Sequence, residues 1–306
     1  MLSAELIKLA ALELGADLVG IAPVGPVESR ARFLDWLEKG YAGEMQYMTR
    51  NVENRLDPTR LLPGARSVIV VGYNYFPTED DRGSNKRFFK VARYARGDDY
   101  HDIIGRMLER LQTVLRETEP KLNGRVCVDT AAFMDKYWAQ RAGLGWQGKH
   151  TVLVSRRFGS WLLLGSLVID DEVDRYDNPH RDYCGKCTAC LEACPHNAFP
   201  NEYVLDATHC TSYWTIESKA AIIPERIGKN MKRWVFGCDI CLEACPFNRF
   251  QKPHKTLAFT RHVNLDAVES GNIAQISEKE FAAQFKSSPL KRPKLNRLIR
   301  NINACK

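Results

Sequence analysis

Cys184-Gly-Lys-Cys187-Thr-Ala-Cys190-Leu-Glu-Ala-Cys194-Pro195 is the stretch on which the reading of this chain turns. Its gaps of two, two and three residues, closed by a proline, are those of the run that carries cubane iron–sulfur clusters in two-cluster bacterial ferredoxins. A second run lies further along, Cys238-Asp-Ile-Cys241-Leu-Glu-Ala-Cys245-Pro246, with Cys210 upstream of it. Two-residue gaps let successive thiolates reach neighbouring iron atoms of one cube, and the proline turns the chain away because it has no amide to donate. In such proteins three cysteines of a run hold one cluster and the fourth crosses to the other. That rule assigns Cys184, Cys187, Cys190 and Cys245 to one 4Fe–4S cluster, and Cys194, Cys210, Cys238 and Cys241 to the second. Zinc takes paired ligands and not a triplet with a fourth and a proline. A disulfide framework belongs to an oxidising compartment. Of the two cysteines left over, Cys127 lies in an apolar stretch and reads as a small core residue, and Cys305 reads as incidental.

Around this segment the composition is ordinary for a globular protein: 306 residues, 44% hydrophobic and 26% charged. No apolar run is long enough to span a membrane. The N-terminal residues carry Glu5 and Lys8 within an apolar periodicity, which reads as an amphipathic helix and not as a signal peptide. The expectation is a cytoplasmic monomer, in a compartment where thiols stay reduced and clustered cysteines mean metal. Lys and Arg exceed Asp and Glu by 44 to 37. Residues 286–306 hold Lys286, Lys291, Arg292, Lys294, Arg297, Arg300 and Lys306 and no acid. Such a run is either a solvated face or a contact for a polyanion.

The first 175 residues alternate helical and strand patterns. Helical spacing is clear over residues 4–14, 29–39, 99–118 and 133–142, and strands are expected near 17–21, 68–71, 125–129, 150–155 and 161–169. This alternation predicts an α/β layered domain over 1–175, followed by a ferredoxin-like domain over 176–255 and a polar, then basic, segment over 256–306. Gly143-Leu-Gly145-Trp-Gln-Gly148 matches a dinucleotide fingerprint in letters only. A helix precedes it and a strand comes after, the reverse of the required order, so its glycines read as a tight connection with close backbone approach. Asp99-Tyr-His101 resembles the start of a cobalt-ligating histidine motif, but Ile104 stands where that motif needs glycine. His101 therefore reads as an ordinary helix-start residue.

Several landmarks together resemble the epoxyqueuosine reductase family. They are Asn54-Arg55-Leu56-Asp57-Pro58, Ala95-Arg96-Gly97-Asp98-Asp99-Tyr100-His101, Val128-Asp129-Thr130, Ala142-Gly143-Leu144-Gly145-Trp146-Gln147-Gly148-Lys149, both cysteine runs, and Cys210-Thr211-Ser212-Tyr213. The resemblance implies a nitroreductase-like α/β domain that binds cobalamin, coupled to two 4Fe–4S clusters. It implies reduction of epoxyqueuosine to queuosine at the wobble position of tRNA, with an external electron donor and the anticodon loop as partner. The family's proton donor falls on Asp129, and its cobalamin contacts fall on Arg55, Asp129, Leu153, Leu164 and Ser212. A family position that is cysteine in some members falls on Ala92, so no thiol acts there. Many members carry a further helical-repeat domain, which is absent from this sequence.

The residues make sense of that chemistry. Deoxygenating an epoxide needs electrons at carbon and a proton for the departing oxygen, and an aspartate donates at neutral pH only if something raises its pKa. Burial beneath a corrin would do so for Asp129; alternatively Asp129 caps a helix beginning near Ala131. Arg55 reads either as a cofactor contact or as a surface ion-pair residue. Tyr213, Trp214, Trp234 and Phe236 are either platforms for splayed bases or packing of the cluster segment. Two rival readings are a reductive dehalogenase-like corrinoid reductase of small molecules and a ferredoxin-type carrier. The first lacks its usual twin-Arg signal and tyrosine acid; the second leaves about 180 preceding residues without a purpose.

Overall fold

The computed structural model describes residues 1–78 and 88–305, so Lys306 of the basic run lies outside the described residues. Its strands are β1 (Leu18–Pro23), β2 (Ser67–Asn74), β3 (Lys90–Val91), β4 (Gly124–Cys127), β5 (Trp146–Gln147), β6 (Leu153–Val154), β7 (Leu162–Ile169) and β8 (Trp234–Phe236). Four of them form the main sheet in the order β1-β2-β7-β4. The continuous apolar run Val68–Val71 is explained by its place there, since β2 is buried along its whole length and covered on both faces. Ile69, Val71 and Tyr73 face one core, with Leu163, Leu167 and the helix Tyr100–Thr118. Val68 and Val70 face the other, with Leu162, Val168, Phe133 and Trp138. The fold is mixed α/β as the alternation predicts, yet every pairing in this sheet is antiparallel: β2 and β4 point the same way, and the later strand β7 inserts between them in the opposite direction.

One glycine determines how closely the helix Tyr100–Thr118 packs on the sheet. A Cβ on Gly165 of β7 would lie 2.4 Å from Cγ2 of Ile104 and 3.0 Å from Cδ1 of Leu108. Without that atom the helix lies directly on the strand, which brings the helix start toward the end of β4. The fingerprint-like glycines also serve close approach. A Cβ on Gly145 would sit 2.2 Å from the Val154 carbonyl oxygen, and Gly143 turns the chain at φ +76°.

The segment 256–305 is not a loose tail. Its helices Leu265–Ser270, Glu278–Gln284 and Lys294–Ala304 build a third core with Phe89, Val91, Ala95, Ile216, Val235 and Phe236. This core draws on all three of the expected segments. β3 and β8 pair in parallel beside it, Val91 opposite Phe236, and so join the sheet domain to the cluster segment. The apolar signal was present in the sequence: Leu295, Leu298 and Ile302 repeat at helical spacing beneath the charge run.

Candidate active site and cysteine cavities

Asp129 stands two residues beyond β4 at φ +46°, in the left-handed region that aspartate tolerates better than most side chains. Continuing the ladder past Cys127↔Ser166 by two steps brings it level with Leu164 of β7. It caps nothing, because the next helix begins at Asp135 and its cap residue is Met134. Instead, Asp129 Oδ2 lies 3.1 Å from His101 Nε2. The other ring nitrogen of His101 lies 2.6 Å from Asp99 Oδ1. Asp99 caps the helix and accepts from the His101 amide, while its Oδ2 lies 2.9 Å from Lys291 Nζ of the C-terminal segment. The result is a line of four alternating charges, Lys291, Asp99, His101 and Asp129. His101 is thus more than a helix-start residue, and the reason it escaped notice is that its partner lies 28 positions along the chain.

Charge is set by this geometry. Burial opposes ionisation of Asp129, but the hydrogen bond and charge of His101, aided by Lys136 and Tyr100, outweigh it and hold the carboxyl below its usual value. Burial likewise opposes protonation of His101, yet Asp129 and Asp99 together raise the imidazole to about 9. At neutral pH the pair therefore keeps its proton on the imidazole, in contrast to the raised aspartate expected from burial alone. The Asp129 side chain is nonetheless 55% accessible. The carboxyl is therefore reachable from solvent although protein packs around it.

Arg55 ends the short helix Val52–Leu56 and is buried, so it is no surface ion-pair residue. Its guanidinium donates to the carbonyls of Phe133 at 3.4 Å and Tyr47 at 3.2 Å, while Nε has no partner. Nearby Asp135 has a buried oxygen without a partner, and burial, followed by the charge of Asp129, raises its carboxyl to about 7. Sequence reading missed Asp135, whose only signal is its place in the first turn of a helix. Tyr47, 44% exposed, carries the Arg292 guanidinium 5.9 Å from its ring centre.

The cysteines gather into two sets. Cys184, Cys187, Cys190 and Cys245 line one cavity of about 220 Å³ together with Lys149, Tyr183 and Phe247. Cys241 and Cys238 are half-buried near Cys210 and Cys194, and desolvation first, then the neighbouring thiols, pushes their pKa up. Amide and indole donors point at the sulfurs: Trp146 Nε1 at 3.3 Å from Cys184 and the Ala198 amide at 3.4 Å from Cys194. The amides of Ser212 and Tyr213 do the same at Cys210, and that of Phe247 at Cys245. Such donors stabilise thiolate, the form that binds metal. Among the described residues no three His, Cys, Asp or Glu converge on one ion. Cluster ligands attach to separate irons and need no common point, so the donor set fits a cube.

Ser212 thus meets the second cysteine set through its backbone. Leu164 is half-buried on β7 beside the Asp129 turn, whereas the Leu153 side chain is enclosed in the second core. Ala92 is buried, its Cβ 2.5 Å from where a Cβ on Gly237 would stand. Trp234 and Phe236 are buried and Tyr213 nearly so, so they pack the interior and offer no stacking platform; Trp214 is half-buried, its indole N–H bound to the Thr208 carbonyl at 2.8 Å. The basic segment is also largely engaged. Arg292 pairs with Glu217 at 2.9 Å, Arg297 donates to the carbonyls of Ile216, Glu217 and Ser218, and Arg300 donates to those of Trp214, Ser218 and Ala220. Lys286 and Lys294 remain exposed.

A solvent-exposed charge relay in one fold with two sets of four cysteines is the arrangement of an iron–sulfur oxidoreductase. Comparison with known proteins agrees. Residues 55–130 match the family described as epoxyqueuosine reductase QueG, DUF1730, and residues 183–248 match the 4Fe-4S double cluster binding domain. The epoxyqueuosine reductase of Cyclobacterium marinum is 42% identical over 304 residues, covering 99% of this chain and 96% of that protein. That of Synechocystis is 41% identical over 290 residues, covering 94% of this chain and 99% of that one. A crystal structure of epoxyqueuosine reductase with an epoxyqueuosine-modified tRNA-Tyr stem loop superposes with TM-score 0.88 at 26% identity, over 98% of this chain and 80% of that one. The chain belongs to the epoxyqueuosine reductase family. A catabolic reductive dehalogenase shares the fold alone, at TM-score 0.50 and 17% identity, over 96% of this chain and 37% of that one. No helix among the described residues is long and apolar enough to cross a membrane.

Proposed function

We propose that this chain reduces epoxyqueuosine to queuosine at the wobble position of tRNA, working as a cytoplasmic monomer fed by an external electron donor. The observation that carries this reading is the relay ending on the solvent-exposed Asp129, in one fold with two sets of four cysteines of cluster type. Loss of the epoxide oxygen as water takes two electrons and two protons. When bound, the two 4Fe–4S clusters and a cobalamin supply the reducing equivalents at carbon. The residues present fit a group of that kind: Asp129 is open to solvent, and Arg55 Nε and a carboxylate oxygen of Asp135 are buried without hydrogen-bond partners among the described residues. Asp129, Arg55, Leu164 and the backbone near Ser212 and Leu153 are the positions we assign to hold it.

Asp129 delivers a proton to the departing oxygen, and His101 keeps that proton in store. As negative charge grows on the oxygen, His101 passes its stored proton across the 3.1 Å gap to the Asp129 carboxylate, which hands it to the oxygen, and the second proton enters from solvent at the exposed carboxyl. Asp99 fixes the imidazole ring and the tautomer. The anticodon loop approaches from the side of Tyr47 and Arg292, where an exposed ring bears a guanidinium. Lys286 and Lys294 face solvent and add phosphate contacts.

Two experiments test the reading. Digesting the tRNA of a deletion strain to nucleosides is expected to show epoxyqueuosine accumulating and queuosine missing; normal queuosine, with no second reductase present, overturns it. Purified Asp129→Asn is expected to keep iron and cobalamin but lose turnover, and wild-type turnover by that variant removes the acid role.

A further inference from the structure

Of the ten cysteines only Cys187 is exposed, and it opens the cavity that also holds Cys184, Cys190 and Cys245. Four cations stand around that opening. Tyr183 lines the cavity and carries two guanidiniums on its ring, Arg181 at 4.6 Å and Arg156 at 5.4 Å from the centroid. Phe247, another lining residue, packs on Phe250, which is 42% exposed and carries Arg249 at 4.7 Å. Lys186 precedes Cys187 and is exposed. None of these four has a carboxylate at ion-pair distance among the described residues. The nearby acids are already engaged. Asp182 accepts from the Cys184 amide at 2.6 Å and from the Tyr203 hydroxyl, Glu192 from the Thr188 hydroxyl, and Glu202 pairs with Lys149 at 2.6 Å.

The C-terminal segment differs. There Lys291, Arg292, Arg297 and Arg300 all meet carboxylates or carbonyls. Around Cys187 the three arginines are held against aromatic rings with their charge facing outward, and Lys186 is exposed beside them. Outward charge is strongly screened from the cavity by solvent but acts on whatever approaches. The RNA approach proposed above lies on other residues. The groups that act on Asp129 (His101, Lys136, Tyr100) and the open-side residues Tyr47 and Arg292 include none of the residues lining this cavity.

We propose that the opening at Cys187, framed by Arg156, Arg181, Lys186 and Arg249, is the docking surface of a small acidic one-electron carrier protein. The inference rests on the cluster reading and names the external donor that reading requires. One electron leaves the reduced carrier and enters the cluster held by Cys184, Cys187, Cys190 and Cys245; the carrier is oxidised, and no bond or proton moves. The exposed Phe250 supplies the apolar contact, and the cations supply attraction and orientation.

The test uses holoenzyme with both clusters and no RNA, so it stands apart from epoxide turnover. Cluster reduction is followed by stopped-flow absorbance with two donors, a reduced, strongly acidic flavodoxin and the methyl viologen radical cation. In the triple variant Arg156→Glu, Arg181→Glu, Arg249→Glu, reduction by flavodoxin is expected to slow by roughly tenfold or more at low ionic strength. Reduction by viologen should not slow. The milder Arg→Gln triple variant should fall between, and flavodoxin binding to wild type should weaken as salt rises. An unchanged flavodoxin rate, or equal slowing with both donors in the Gln variant, overturns the proposal. So does loss of anticodon stem-loop affinity with flavodoxin reduction intact, which would make RNA the occupant.

Discussion

The cysteine sets and the proton relay are built on opposite plans. Most ligands of each set come from runs whose members are separated by two or three intervening residues, so local spacing alone nearly specifies them. The relay is assembled from remote positions: Asp99 and His101 at a helix start, Asp129 past a strand end, and Lys291 on the C-terminal segment. Metal geometry can be written into a short stretch of chain, because the cube does the organising. A proton path has no such template and depends on the whole fold holding side chains within hydrogen-bond reach of one another.

The largest expected effect bears on a non-local feature of the cysteine sets. Cys245 sits in the first cavity although it belongs to the second run. Cys245→Ser should lose the first cluster and roughly half of the iron while the second cluster keeps its signal. Iron and sulfide analysis with electron paramagnetic resonance checks this, and selective loss of the second cluster would break the assignment. Next comes His101→Gln, which leaves both cavities untouched but should lower turnover by roughly a hundredfold. In the wild type, turnover should fade as pH rises through about 9, where His101 gives up its proton. The same raised value stabilises the fold, on the order of 3 kcal/mol below pH 6.5, and this contribution is lost as pH rises through about 9. Denaturation of wild type and His101→Gln at pH 6 and pH 10 separates the two effects, since their difference should shrink at the higher pH.

The smallest effect belongs to Lys291→Met. Removing this cation leaves Asp99 acting on His101 uncompensated, so the alkaline limb of the activity profile should move upward. The Lys291 side chain is 46% exposed, and solvent screening keeps the move under about one pH unit. A limb that stays still would show that the C-terminal segment does not reach the relay, and would sharpen the comparison by confining the relay to the sheet domain.

Much of the fold was legible. The buried strand Val68–Val71 and the helix over residues 99–118 were evident from apolar patterning, and both cysteine sets from spacing. Strand direction was not, since burial on both faces says nothing about pairing. The helices after residue 256 were hidden by charge: Arg297 and Arg300 look solvated in the sequence, but bind carbonyls of residues 214–220. Asp129 was visible as a strand-end acid, but its pairing with His101 was not. His101 shows its role only once Gly165 has let the helix Tyr100–Thr118 settle against β7.

The parallel pairing of Val91 with Phe236 has a calorimetric consequence. β3 and β8 are short, but they stand on a core that draws side chains from residues 89–95, 216–236 and 265–302. Heat cannot loosen the cysteine segment without exposing apolar surface that the sheet domain and the C-terminal helices share. The molecule should therefore melt in a single cooperative step, with the redox half and the acid half losing their structure at the same temperature.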